Sequence, residues 1–150
     1  MKLLFSLLCV CIMQMSFAQS DKVVKWTASV KKESANTYLL TLNAAIDKGF
    51  YVYSQFLESQ DGPVKTTVTL DQAADISGMD KATEDGHKKE GFDAVFGMNL
   101  IKYSDHLIIV KRIHSKTALD KISGTIEFMS CNDEMCYPPT EVAFRAPISN

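Results

Sequence analysis

Cys131 and Cys136 stand with four residues between them in the stretch Met129-Ser130-Cys131-Asn132-Asp133-Glu134-Met135-Cys136-Tyr137-Pro138-Pro139-Thr140. Two thiols so placed can form a disulfide if the chain turns back between them, and Asn132 and Asp133 favour such a turn. The chemistry open to the pair is thiol–disulfide exchange, in which a thiolate attacks a disulfide sulfur and a mixed disulfide forms. The rival is an ordinary hairpin staple, and composition and spacing alone favour neither. Closing so short a loop removes roughly 2 kcal/mol of unfolded-state entropy, so stability is a weak reason for the bond. Zinc is a poor match, because His87, His106 and His114 have no close spacing to one another or to the cysteines. No metal or cofactor is expected, and no histidine has a visible reason to activate a cysteine for hydrolysis.

The pair is not the Cys-x-x-Cys of thioredoxin-like proteins, whose first cysteine gains a low pKa from a helix N-terminus. Asp133 and Glu134, if close, disfavour a thiolate by like-charge repulsion. A sluggish thiol of this kind suits a relay, in which a partner with an activated thiolate supplies the reactivity. Pro138 and Pro139 lack backbone donors, so they stop strand pairing just beyond Cys136 and stiffen the loop. A proline stop without redox purpose reads the same way.

At the N-terminus, Lys2 precedes the apolar run Leu3 to Met13, and Ser16-Phe17-Ala18 supplies a small-residue cleavage pattern. This reads as a secretory signal peptide over residues 1–18, with a membrane anchor as the plain alternative. The run is about 11 residues, short of the roughly 20 that span a bilayer, so no membrane span is expected in the mature chain. Cys9 and Cys11 would leave with the leader. Residues 19–150 then suit one domain, and export to an oxidising compartment lets Cys131 and Cys136 pair. Loss of Lys2 takes Lys plus Arg from 16 to 15 against 18 acids, a balance that does not suit nucleic acid or an anionic membrane surface.

The elements that must position the pair read as strands. Val24, Trp26, Ala28 and Val30 alternate with polar residues, and Tyr38, Leu40, Leu42, Ala44 and Ile46 repeat the pattern after a turn at Glu33-Ser34-Ala35-Asn36. Trp26 is simple core filling. The aromatic segment Phe50 to Phe56 and Val64 to Leu70 read as further strands around the turn Asp61-Gly62-Pro63. The polar region Asp71 to Glu90 reads as loop with one short strand. Leu100 to Tyr103, continued by Leu107, Ile109 and Ile113, then Ile122 to Met129 and Glu141 to Ala146, complete the set. Ile122, Gly124, Ile126 and Phe128 share one face. Some eight short strands and no sustained helical stripe predict an antiparallel β-sandwich, with a closed barrel as the alternative.

Cys131 to Pro139, together with Gly49-Phe50-Tyr51-Val52-Tyr53-Ser54-Gln55, Gly62-Pro63 and Asp93-Ala94-Val95-Phe96-Gly97, resembles the amino-terminal periplasmic domain of the thiol:disulfide interchange protein DsbD family. The similarity covers most of residues 23 to 147 in the same order, and Cys-x4-Cys-Tyr-Pro-Pro is its most specific piece. The resemblance implies an all-β, immunoglobulin-like sandwich with a redox-active disulfide at one end, a component of protein-disulfide reductase chemistry. It implies that Cys136 forms the mixed disulfide and Cys131 resolves it. It also implies a cap loop, Asp93 to Gly97, with an aromatic shield over the sulfurs, and it sets Tyr51, Tyr53, Tyr137, Pro138 and Pro139 in support.

Physically, Phe96 or Val95 can cover the bond and Gly91 and Gly97 let the loop move; the plain alternative packs Phe92 and Phe96 into the core as a strand end. Val95 is aliphatic where an aromatic shield is expected, and the cysteine spacing is short for the family. Family members continue into a multi-helix membrane domain and a thioredoxin-like domain, whereas this chain stops at Asn150. The implied partners are therefore thioredoxin-like or other periplasmic thiol proteins and a separate membrane reductase. From another class, the rival function is an immunoglobulin-like binding or adaptor module of the cell envelope with a purely structural disulfide.

Overall fold

Alternating apolar residues give this chain its strands, and a computed structural model describes residues 20–57, 61–71 and 73–149 of it. The expected signal peptide, with Cys9 and Cys11, lies outside the described residues. After one helical turn at Ser20–Val23 come ten strands: β1 Val24–Ser34, β2 Thr37–Ile46, β3 Tyr51–Tyr53, β4 Thr67–Leu70, β5 Ile76–Met79, β6 Thr83–Asp93, β7 Met98–Ser115, β8 Lys121–Phe128, β9 Ser130–Cys131 and β10 Thr140–Ser149. They form an immunoglobulin-like β-sandwich. Strands β4, β8 and β10 make one layer and the others make the second, with β10 leaving β8 to pair in parallel with β1 through Ile148 and Ser149. Among the described residues no helix is long and apolar enough to cross a membrane.

The predicted hairpin forms as expected, with β1 and β2 antiparallel and Ala28 opposite Leu42. On β2, Tyr38, Leu40, Leu42, Ala44 and Ile46 all point into the core, and on β8 Ile122, Ile126 and Phe128 do the same from the facing layer. Each such side chain contributes about 1.5–3 kcal/mol when buried. Leu107, Ile109 and Ile113 of β7 complete this main cluster, against which Trp26 packs edge-on to Phe128 at 5.7 Å. Gly124 on β8 is required by closeness, since a Cβ there would sit 2.1 Å from the Thr69 carbonyl oxygen of β4.

Three expectations need correction. The stretch Asp71 to Glu90 contains two strands rather than one, β5 and most of β6. Of the residues of β6 only Asp93 is buried, so no alternating apolar face announces the strand, and its ladder to β7 alone defines it. The Phe50 to Phe56 segment is extended only at Tyr51–Tyr53. Just beyond it the Glu84 carboxylate of β6 accepts from the Ser54 hydroxyl at 2.5 Å and the Gln55 amide at 2.8 Å, and the Ser54 hydroxyl accepts from the Phe56 amide at 3.0 Å, so side-chain bonds replace the strand ladder. Phe92, offered as a core residue in the plain reading of its segment, is 72% exposed.

One irregularity decides how the site is assembled. Strand β7 bulges where Gly86 faces Leu107 but His87 faces Ser104, and Asp105 takes a left-handed φ of 62°. The bulge lies at the junction between the part of β7 that pairs with β2 and the part, Lys102 to Ser104, that pairs with β3. His87 closes on Asp105 at 2.5 Å, and Ser104 approaches the same His87 nitrogen at 3.3 Å. Two partners on one nitrogen leave no relay between them, so this trio is no hydrolytic triad.

Candidate redox site

Strand β9 is two residues long and exists because β3 offers it an edge: Cys131 pairs with Tyr51 and Ser130 with Val52. The chain then turns back on itself. Asn132 N–H donates to the Met135 carbonyl at 2.9 Å, and Tyr137 N–H donates to the Ser130 carbonyl at 2.9 Å. The Asn132 side-chain oxygen accepts from the amides of Glu134 and Met135 at 2.9 and 2.7 Å. That substitution of side chain for main chain leaves the Asn132 carbonyl to accept from the Tyr51 hydroxyl at 3.2 Å. Cys131 and Cys136 thus face each other as an antiparallel bridge and are joined by a disulfide.

The two sulfurs have unlike surroundings. Cys131 is fully buried and belongs to a small second core with Tyr53, Leu57 and Leu100, whereas Cys136 is exposed. The Tyr53 hydroxyl donates to the Cys131 sulfur at 3.3 Å. Burial, and after it the nearby Tyr51 and Asp93, push the Tyr53 hydroxyl far above the ordinary phenol pKa, so it keeps its proton. Thr66 fixes this tyrosine's backbone, its hydroxyl donating to the Tyr53 carbonyl at 2.6 Å. Tyr137 stacks on Phe50 at 5.7 Å beside Cys136, and Pro138 and Pro139 are exposed between the hairpin and β10.

The turn joining β6 to β7 is Asp93 to Gly97. Asp93 is 9% exposed, and its Oδ1 accepts from the amides of Val95 at 2.9 Å and Phe96 at 3.1 Å. Gly97 N–H donates to the Asp93 carbonyl at 2.8 Å, and Gly97 has a φ of 66° that favours glycine. This turn points Phe96 inward, edge-on to Tyr53 with ring centroids 6.1 Å apart, and leaves Val95 84% exposed. Ala94 is exposed at the turn, and Gly91 sits within β6 opposite Leu100, away from the flexing position assigned to it. The Asp93 carboxylate is held below the usual range, chiefly by its hydrogen bond from Lys102 and in spite of burial, with the Phe96 and Val95 amides assisting.

The structure therefore brings Cys131, Cys136, Tyr51, Tyr53, Tyr137 and Phe96 to one end of the sandwich. The histidines stay apart from it: His87 pairs with Asp105, and His114 with Asp80 at 3.1 Å. Lys102 and Phe50 carry contacts that sequence reasoning did not assign, whereas Asn132 makes the turn expected of it. For Lys102 a signal was present, a lone cation inside the apolar run Leu100 to Tyr103.

A sandwich that ends in a short bridged hairpin, with one sulfur buried under aromatic cover and the other exposed, belongs to the class of thiol:disulfide exchange domains. The family model for the thiol:disulfide interchange protein DsbD, N-terminal, matches residues 14–147, and the chain belongs to that family. No curated protein matches the chain. Among solved structures, the reduced DsbD n-terminal domain of Neisseria meningitidis is 16% identical at a TM-score of 0.60, covering 88% of this chain and 90% of its own. The N-terminal periplasmic domain of ScsB from Proteus mirabilis is 15% identical at 0.60, covering 82% of this chain, which spans 45% of that one. A DsbD N-terminal domain in complex with the PilB N-terminal domain, also from N. meningitidis, is 15% identical at 0.53, covering 80% of each. These likenesses are likenesses of fold.

Proposed function

We propose that residues 19–150 act in the periplasm as a relay that passes reducing equivalents between protein thiols through Cys131 and Cys136. In the donating direction, the Cys136 thiolate attacks an acceptor disulfide, forming a mixed disulfide and releasing one acceptor thiolate. The Cys131 thiolate then attacks the Cys136 sulfur, the second acceptor sulfur leaves as a thiolate, and the domain's disulfide is restored. Recharging runs through the same sulfurs: a partner thiolate attacks Cys136, the electron pair of the broken bond leaves on Cys131, and the partner's second thiolate then attacks its own sulfur in the mixed disulfide and releases Cys136 as a thiolate.

The observation that carries this reading is the unequal burial of the two sulfurs, with exposed Cys136 open to attack and buried Cys131 held against a protonated Tyr53. Phe96 supplies the aromatic cover through Tyr53, with Val95 on the outside. Family membership, and a fold relative solved in complex with another protein domain, support thiol proteins as partners, thioredoxin-like ones among them. A membrane-bound reductase fits as the electron source.

The test is trapping with a thiol partner that has a single reactive cysteine. Cys136→Ser abolishes the mixed disulfide, and Cys131→Ser leaves it long-lived because nothing resolves it. Equal behaviour of the two variants refutes the division of roles. A reduction potential far below about −300 mV, together with no trapped species, identifies a structural staple instead.

A further inference from the structure

Lys102 touches both halves of the candidate site. It lies on β7 opposite Tyr53 of β3, and its ammonium pairs with Asp93 Oδ2 while sitting 4.3 Å over the ring of Tyr51. The Asp93 side chain is 8% exposed and that of Lys102 20%, so the pair is largely withdrawn from water. Asp93 uses its other oxygen to hold the turn that seats Phe96 on Tyr53. Tyr51 in turn donates its hydroxyl to the hairpin at Asn132. One cation thus links the cap turn to the tyrosine that braces the disulfide loop.

We propose that Lys102 is a positioning residue that latches the Asp93–Gly97 turn closed over Tyr53 and the disulfide; the proposal rests on the reading that this disulfide is exchanged. The physics follows from burial. Without Lys102 the Asp93 carboxylate is a buried charge without its cation, and at a pH well above the carboxylate range, with two amides donating to it, such a charge is relieved by reaching water rather than by taking up a proton. Asp93 is tied to the Val95 and Phe96 amides, so hydrating it lifts the turn and draws Phe96 off Tyr53. Lys89, opposite Lys102 on β6, lines the same small cleft of about 100 Å3 with Tyr51, Ser104 and Asp133, but it is exposed. It therefore serves as the control for charge alone.

The experiment follows reduction of the disulfide by dithiothreitol in the full oxidised chain, comparing wild type, Lys102→Met, Lys89→Met, Phe96→Ala and the Lys102→Met/Phe96→Ala double variant. Lys102→Met accelerates reduction about tenfold, because the turn opens more often. Loss of positive charge by itself slows attack by a thiolate, so acceleration reports access. The double variant is no faster than Phe96→Ala, since the latch acts through that ring, and Lys89→Met is no faster than wild type.

An unchanged Lys102→Met rate, additive effects in the double variant, or Lys89→Met behaving like Lys102→Met overturns the latch. Should Lys102→Met fold poorly, Asp93→Asn/Lys102→Met removes the buried charge yet keeps an oxygen for the Val95 and Phe96 amides. Recovery of folding with a wild-type rate in that variant supports the proposal, because no buried charge is left to lift the turn, and a rate near that of Phe96→Ala overturns it. Dithiothreitol needs no protein partner, so failure of the relay in trapping assays and failure of the latch are separate results.

Discussion

Tyr53 is the residue on which the two sulfurs are made different. A hydroxyl that holds its proton is a donor at every working pH, and a donor 3.3 Å from the Cys131 sulfur favours the thiolate that leaves in the proposed attack on Cys136. Hydrogen bonds to a charged group contribute about 1.5–3 kcal/mol, which is roughly tenfold or more in rate if the bond strengthens as charge develops. Tyr53→Phe keeps the ring that Phe96 packs on and deletes only the hydroxyl. We expect reduction by a partner thiol to slow about tenfold. Stopped-flow reduction checks this, and an unchanged rate would confine Tyr53 to packing.

At the scale of elements, β9 is too short to hold itself. It depends on β3 along one edge and on the Asn132 side chain at its turn, which stands in for a main-chain acceptor twice. Asn132→Ala removes both bonds and should destabilise the hairpin by about 1–2 kcal/mol. Hydrogen exchange at the Glu134 and Met135 amides should rise, while Asn132→Asp, which retains the acceptor, should stay near wild type. Equal exchange in Asn132→Ala and wild type would show that the disulfide alone sets the loop. The neighbouring β6 was not legible beforehand for the opposite reason. It buries almost nothing, so its sequence Thr83 to Asp93 has the polarity of a loop, and only pairing with β7 makes it a strand.

Across the whole molecule, the sandwich closes only where backbones can approach. Gly124→Ala places a methyl group 2.1 Å from the Thr69 carbonyl oxygen and 3.1 Å from the Leu70 Cα, and backbone atoms do not yield as a flexible side chain does. Strand β4 must then separate from β8, at a cost of about 1–3 kcal/mol. Denaturant unfolding should show the fall in midpoint, and an unaltered midpoint would mean that β4 shifts freely. The same strand begins just beyond Thr66, whose bond to the Tyr53 carbonyl ties this layer to the redox end.

The sequence by itself determined that the chain is built of strands and that two cysteines can pair, because both are written in local patterns: period-two burial on β2 and β8, and two cysteines with a turn between them and prolines after them; those patterns left exchange and staple, sandwich and barrel, open. The resemblance carried by Cys131 to Pro139 and by Asp93 to Gly97 led to the family. Tertiary structure decided which sulfur is buried, that Phe96 faces inward while Val95 faces out, and that Lys102 joins Asp93 to Tyr51. Those facts depend on which strands become neighbours across β7 and its bulge at Asp105. No local pattern encodes such a pairing, because the energy that selects it comes from contacts between residues far apart in the chain.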